Sequence, residues 1–483
     1  MIQINKLESK KNQIATLLKQ GLALHQKGNP EEAQVIYEQI LSIQPNHFDA
    51  LQLLGVLFAQ IKEYSKAVKF LSKALEINPN HAGAFSNRGI ALKGLKRFDE
   101  ALASYDQAIA INPVYLDAYI NRGNILQELK RFDEALASFD QAIAINPGYA
   151  EAYYNRGNTL KELKRFDEAL ASYDQAIAIN PDYAVAHYNH GTVLQELKRF
   201  DEALASYDQA IKIESDYIEA YWNSSICNLM LSNFSEGWQG YEWRWLDHQF
   251  DSERLKSDNP AWNYQKTDER LLVWAEQGVG DHIFYGSLLL ELLEDVPNLL
   301  VQVDKRLLSI FTRSLPKIKF YAADFKLAES DYDVHVPIGS LGKYLRSDKK
   351  YFLRTKNRFL KDDELKTAEI KKDLVALTPS NHKICGISWT SQSEGTGVDK
   401  STTLKYFIET LDLEGYTFVN LQYGDTKDEI QKVREELGVN IISYDEVDNF
   451  MDIDGLSSLI QACDTVITID NLTCQLAGAL GKE

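Results

Sequence analysis

The sequence predicts a multidomain protein: an all-α superhelix of repeated helix pairs, followed by an α/β part built on parallel sheets. Three observations carry this reading. Five prolines, Pro45, Pro79, Pro113, Pro147 and Pro181, stand 34 residues apart. The segment LKRFDEALAS recurs from Leu95, Leu129, Leu163 and Leu197, each time ahead of a YDQAI-like or FDQAI-like run. After about Gln249 that period vanishes, and short β-rich runs alternate with helical ones.

Aligned on the prolines, each unit sets a large, a small and a large residue at helical spacing, as in Phe85, Gly89 and Leu92, or Tyr153, Gly157 and Leu160. Each trio shares one helix face. A second run, Ala101, Tyr105 and Ala108 or Ala169, Tyr173 and Ala176, does the same for a second helix. The small residues let the helices approach, and proline closes each second helix because it lacks an N–H. The unit ending at Ser215 has lost its proline, and the next dissolves into GWQGYEWRW, as expected where a stack caps itself or meets another domain. The array, about seven units, is placed at 12–249.

A polar stretch over 250–269 is taken as a linker. From Arg270, LLVWAE, LLVQVD, KIKFYAA and YDVHVPI alternate with helical runs, and the pattern restarts at KICGISW with YTFVNLQ, NIISYD and TVITID. Such alternation means parallel strands with crossover helices. Two series predict two Rossmann-like lobes facing a cleft, at 270–372 and 373–483.

A formal net charge of −18 over 483 residues argues against nucleic acid or an anionic membrane as main partner. The cysteines Cys227, Cys385, Cys463 and Cys474 show no CxxC spacing and read as buried free thiols of a reducing compartment. With neither an apolar leader nor a stretch of membrane-spanning length, the expected location is the cytoplasm.

The residues from about Ile14 to Pro181 closely resemble the tetratricopeptide family. A second resemblance rests on GWQGYEWRW, PAW, LLVWAEQGVGDHIFYGSLL, ISWTSQSEGTGVDKST, LQYGD and CDTVITIDNLTCQLAGALGK, in that order from Gly237 to Lys482. It is to bacterial proteins in which such repeats are fused to a heptosyltransferase-like glycosyltransferase domain of two Rossmann lobes. The resemblance implies an inverting, metal-independent hexosyl- or heptosyl-type transferase that needs no cofactor and uses a nucleotide-diphosphate sugar as co-substrate. The resembling domains continue into at least one more strand and closing helices beyond the position of Glu483. The second lobe is therefore expected to be incomplete, by truncation or decay, with an unpaired sheet edge.

Asp281 follows Gly278, Val279 and Gly280 at the end of the first strand, where ligands of open α/β sheets gather. In the resembling family the Gly-Asp pair here supplies the base that takes the acceptor hydroxyl's proton, and Gly280 and Asp281 match it. A helix N-cap explains Asp281 equally. Position 283 is Ile, so the third glycine of a dinucleotide fingerprint is missing.

Asp470, Asn471 and Gln475 lie where a strand enters a helix N-terminus, a place that suits a diphosphate. An N-cap role is the alternative for Asp470. The family pattern has a histidine five positions after the Asp. Gln475 stands there, able to hydrogen-bond but not to carry charge or shuttle a proton. The loop after Trp389, ending in Lys400 and Ser401, resembles the donor-side loop in which a cation and hydroxyls stabilise a departing diphosphate. A bare surface loop is the other reading. No metal site is expected, and the pairs Asp331/Asp333 and Asp452/Asp454 read as strand-end and loop carboxylates.

Asn87, Asn121, Asn155, Asn189 and Asn223 recur two residues before the small packing position, so they point away from the helix seam towards the open face. Their ladder resembles that of eukaryotic protein O-linked N-acetylglucosamine transferase and could grip an extended peptide. Repetition alone would also copy it. Two functions remain open: a nucleotide-sugar glycosyltransferase whose arm recruits a protein or glycan acceptor, or a non-catalytic interaction scaffold with a decayed transferase-like domain.

Overall fold

The computed structural model describes residues 2–247, 250, 252–354, 358–391, 400–411 and 414–483. It divides into two compact units, Met1–Asn223 and Ser224–Glu483, the division falling within one helix, Ile218–Met230.

The first unit is a run of antiparallel helix pairs, among them Ala82–Gly94 with Phe98–Ile111, Leu116–Glu128 with Phe132–Ile145, Ala150–Glu162 with Phe166–Ile179, and Ala184–Glu196 with Phe200–Ile213. One contact repeats through them. Gly89, Gly123, Gly157 and Gly191 lie under the rings of Tyr105, Phe139, Tyr173 and Tyr207, so close that a Cβ would come within 2.6 Å of the ring in the first three and 2.7 Å in the fourth. The ring of one helix fills the place that the missing side chain of the other leaves open. The turn between the helices carries a residue in the left-handed region at the same spacing, Lys96, Lys130, Lys164 and Lys198, with φ of 58°, 58°, 57° and 58°.

The four rings are not chemically equal. The Tyr173 hydroxyl donates to Asn158 Oδ1 at 2.7 Å and that of Tyr207 to Gln195 Oε1 at 2.8 Å. The hydroxyl of Tyr105 is buried with no partner, because Ile90 stands where the later unit has Asn158.

The second unit contains two four-stranded parallel sheets. β1 (Leu271–Trp274), β2 (Leu299–Val303), β3 (Lys319–Ala322) and β4 (Val334–Pro337) are ordered β3-β2-β1-β4, with Leu271 opposite both Leu299 and Val334. β5 (Lys383–Ser388), β6 (Tyr416–Asn420), β7 (Ile441–Ile442) and β8 (Thr465–Thr468) are ordered β7-β6-β5-β8. Strands β1, β2 and β5 are apolar and almost wholly buried, as strands covered by helices on both faces must be. In each sheet the chain order reverses beside the first strand, which opens a crevice at the strands' C-terminal ends.

Several segments are placed differently from expectation. Residues 250–269 are not a free linker where described: Trp262 is buried, its N–H donates to the His335 carbonyl at 2.8 Å, and Ala261 bridges to His335 along the β4 edge. The repeat array does not end as a separate body at 249, which itself lies outside the described residues. The ring of Trp238 covers Gly342, so the degenerate last pair packs within the second unit. The boundary at 372/373 cuts the helix Glu364–Ala376, which packs on helix Ile453–Ala462 and pairs Lys366 with Asp452 at 2.8 Å, and so belongs with the second sheet. The edge of β8 is not bare, since the Val466 N–H donates to the Glu483 carbonyl at 2.8 Å. Cys227, Cys385 and Cys463 are buried, whereas Cys474 is exposed.

Gly157→Ala would drive a methyl into the Tyr173 ring and should cost about 1–3 kcal/mol in chemical denaturation. Tyr105→Phe removes an unsatisfied buried hydroxyl and should raise stability by about 1 kcal/mol, whereas Tyr173→Phe strands the Asn158 amide and should lower it by a similar amount.

Candidate functional site

The turn after β1 is assembled from beneath by the residues of GWQGYEWRW. The Arg244 guanidinium, with none of its side chain exposed, holds Glu276 through two bonds, Nε to Oε2 at 3.0 Å and Nη2 to Oε1 at 2.8 Å. It also donates to Ser340 Oγ at 2.9 Å and the Tyr241 carbonyl at 3.0 Å, and lies 4.6 Å from the ring centres of both Tyr241 and Trp245. Burial raises the Glu276 pKa even against this partner, so the pair orients more than it stabilises. Glu276 Oε1 accepts the Gly339 N–H at 2.6 Å, and a Cβ on Gly339 would come within 2.3 Å of that oxygen.

Gln277 follows in the left-handed region at φ 64°, tied by its N–H to Ser252 Oγ and by Nε2 to the Tyr241 hydroxyl at 2.7 Å. His282 is buried and neutral: burial lowers its pKa, Nε2 donates to the Glu276 carbonyl, and Nδ1 accepts the Asp304 N–H at 2.9 Å. The turn therefore sets Asp281 in one place. Its Oδ2 accepts the Gly278 N–H at 3.0 Å, from the third position of the helix Val279–Gly286 rather than from its N-cap, which is Gly278. Burial pushes the Asp281 carboxyl above the usual range, while the Gly278 N–H and the Lys400 ammonium pull it down.

The second sheet brings its residues to the same crevice. Lys400 Nζ pairs with Asp470 Oδ2 at 2.6 Å, and its charge is among those that hold the Asp281 carboxyl down. Helix Leu472–Ala479 packs on helix Val279–Gly286, and Gln475 Oε1 lies 2.2 Å from where a Cβ of Gly280 would be. Gly280 is thus required by a close approach, and that Gln475 oxygen is buried with no hydrogen-bond partner. Arg306, beyond β2, joins the sheets from the other side, donating to the Phe450 carbonyl at 3.1 Å and lying over its ring.

Three expected donor-binding residues have other duties. Trp389 is fully buried, its indole N–H donating to Glu429 Oε2 at 2.9 Å, so its ring is core and cannot line the crevice. Asn471 is the true N-cap of its helix, accepting the Cys474 N–H and donating to Ser388 Oγ at 2.7 Å and the Thr390 carbonyl, which leaves Asp470 free of that role. Ser401 Oγ accepts the Ser391 N–H at 2.9 Å and closes the base of the loop whose middle, 392–399, lies outside the described residues. A polar cavity of about 850 Å³ opens at the ends of β6 and β7, lined among others by Gln422, Tyr423, Asp425, Asp445 and Phe450. A slightly larger cavity, about 870 Å³, lies on the first sheet's helices around Leu290, Leu293 and Pro316, among none of the residues above.

The carboxylates of Asp333, Asp452 and Asp454 are engaged by Arg270, Lys366 and Arg313, and Asp331 accepts the Ala328 N–H. Among the described residues no group of His, Cys, Asp and Glu could hold a metal ion, and no helix is long and apolar enough to cross a membrane.

In the first unit the asparagine ladder divides. Asn87 and Asn121 line a shallow pocket, and Asn155 is nine-tenths buried; none of the three side chains has a hydrogen-bond partner among the described residues. Asn189 instead donates to the Tyr154 hydroxyl at 3.2 Å and the Val185 carbonyl, and Asn223 to the Tyr188 hydroxyl at 3.0 Å. The residue 35 positions earlier makes the difference: Ser86 and Ile120 face Asn121 and Asn155 without bonding them, whereas Tyr154 and Tyr188 accept from Asn189 and Asn223.

Models of the tetratricopeptide repeat match residues 24–86, 82–115, 150–183 and 184–217, and a related repeat model matches 123–164. Residues 24–217 are tetratricopeptide repeats. Repeats of this kind mediate protein–protein interaction. Protein FlbA of Caulobacter vibrioides is 31% identical over 264 residues, 51% of this chain, and the match covers 44% of FlbA, less than half of its length. Among solved structures, MamA is 27% identical over 34% of this chain and 96% of its own, with a TM-score of 0.33. YrrB, a tetratricopeptide protein with an unusual peptide-binding site, is 24% identical over 38% of this chain and 95% of its own, with a TM-score of 0.34.

Arg244→Met would leave the Glu276 carboxylate buried without a counter-charge and should cost about 3–5 kcal/mol, while the double change with Glu276→Leu should recover most of that loss. Urea melts of the two variants check this.

Proposed function

We propose that the second unit is a nucleotide-sugar glycosyltransferase of two Rossmann-like lobes, and that the tetratricopeptide array recruits its protein or glycan acceptor. The observation that carries the reading is the packing of helix Leu472–Ala479, which follows Asp470, on helix Val279–Gly286, which bears Asp281, at the C-terminal ends of two parallel sheets, where such sheets gather their ligands. The cavity at the ends of β6 and β7 has room for a nucleoside diphosphate, with the Tyr423 and Phe450 rings to face the base and Asp425 or Asp445 to accept from ribose hydroxyls.

In this reading the acceptor oxygen attacks the anomeric carbon, the bond from that carbon to the diphosphate oxygen breaks with its electron pair, and the acceptor's proton passes to an Asp281 oxygen. Lys400, released from Asp470 by the incoming donor, meets the growing charge on the diphosphate. One observation favours the second reading, a donor-binding scaffold without turnover. Gln475 stands where the resembling enzymes carry a histidine.

One of the uridine, guanosine, adenosine or cytidine diphosphates should raise the melting temperature of the full chain. Asp281→Asn should keep that shift and abolish sugar transfer. A shift without transfer by the wild-type protein would leave the scaffold, and no shift with any of the four would end the donor-binding reading. Because burial raises the Asp281 pKa, and a base must be ionised, kcat/KM should climb with pH at higher values than an ordinary aspartate would give. Lys400→Met removes a charge that lowers that pKa and should move the acid limb further up.

A further inference from the structure

The repeat groove of the first unit holds a pocket of about 180 Å³ between the rings of Tyr115 and Tyr149, with Ile90 and Ile120 beneath and the carboxylates of Asp117 and Glu151 beside it. The pocket carries no compensating cation. Neither carboxylate has an ion-pair partner among the described residues, and Glu151 accepts only the Tyr149 hydroxyl, at 2.8 Å. The arginines of the same helices are drawn elsewhere: Arg122 to Asp106 at 2.8 Å and Ser138, Arg156 to Asp140 at 2.7 Å and Ser172, and Arg88 to Ser104 at 3.1 Å.

A second observation lies beside the pocket. Asn155 lies one helical turn beyond Glu151 on the same face, in the position equivalent to Asn87 and Asn121 of the pocket wall. Most of the Asn155 residue is buried, but its amide has no hydrogen-bond partner among the described residues and is not sealed from solvent, so it is open to a ligand. A row of unpaired amides beside the pocket fits the N–H and C=O groups of an extended chain laid across it.

We infer that this groove binds an extended cationic peptide segment, seating a lysine or arginine side chain between Tyr115 and Tyr149. The methylene stem lies on Ile90 and Ile120, the charged head reaches Asp117 and Glu151, and the tyrosine faces add cation–π attraction. The ladder amides Asn87, Asn121 and Asn155 take the peptide backbone. This deepens the proposed recruiting role of the array and rests on it for the claim that the array binds peptide. It asks nothing of the second unit's chemistry.

The test uses the full chain and three fluorescent peptides on one glycine–serine frame, carrying lysines, glutamines or glutamates, in an anisotropy titration. The lysine peptide should bind on the order of tenfold more tightly than the glutamine peptide, and the glutamate peptide most weakly. Asp117→Asn with Glu151→Gln should erase the preference. Asp167→Asn with Asp201→Asn, an equal charge change on the first turns of the second helices, should leave it. Asp117→Lys with Glu151→Lys should turn the preference to the glutamate peptide. Equal affinity for all three peptides, or equal weakening by the remote pair, overturns the cationic specificity alone. No binding of any of the three overturns it together with the peptide-recruiting role of the array.

Discussion

The second unit depends on one buried ion pair. An arginine has five N–H groups in a fixed plane, and taking it out of water is tolerable only where those groups meet acceptors. Arg244 meets them on Glu276, Ser340, Glu242 and the Tyr241 carbonyl, which come from three separate stretches of chain. The pair therefore fixes the exits of β1 and β4 against the last helix of the repeats. A displacement of any one would strand a charge away from solvent.

The turn that bears Asp281 inherits that rigidity. Gln277 holds a left-handed backbone that its own side chain does not favour, and the bonds to Ser252 and Tyr241 over-determine it. With His282 locked in one tautomer between the Glu276 carbonyl and the Asp304 N–H, Asp281 is left as the other titratable side chain of the helix's first turn. The two sheets close on each other through contacts that allow little slack, since Gly280 touches Gln475 and the Phe359 and Leu360 N–H groups both reach the Ala479 carbonyl. The turn is therefore held rigid by its own framework.

The repeats show how near-identical text yields unlike chemistry. The ring-on-glycine contact is the same in the four copies from Gly89 to Gly191, but a change from Ser86 or Ile120 to Tyr154 or Tyr188 decides whether a ladder amide is free or tied. Reading the ladder by spacing alone treats five asparagines as equals. The structure leaves Asn87, Asn121 and Asn155 available and occupies Asn189 and Asn223. The same limit applies to Trp389. A tryptophan after a strand can turn to the crevice or to the core, and the choice was made by Glu429, forty residues onward and invisible to spacing. Glu276 and Arg244 stood inside the quoted segments and were passed over, because nothing local signals that two groups 32 residues apart will be buried on one another.

The sequence by itself determined what is periodic: the helix pairs, their glycine seams, the alternation of strands and helices, and the placing of Asp281 and Asp470 at strand ends. Those follow from local propensity and short-range spacing, which every residue carries with it. Tertiary structure alone decided which polar groups are spent on holding the chain and which are left over. Hydrogen-bond satisfaction is settled between distant segments, so Asn471, Ser401 and Trp389 went to the framework and Lys400 to Asp470, while the side chains of Asn87, Asn121 and Asn155 were left without a partner among the described residues.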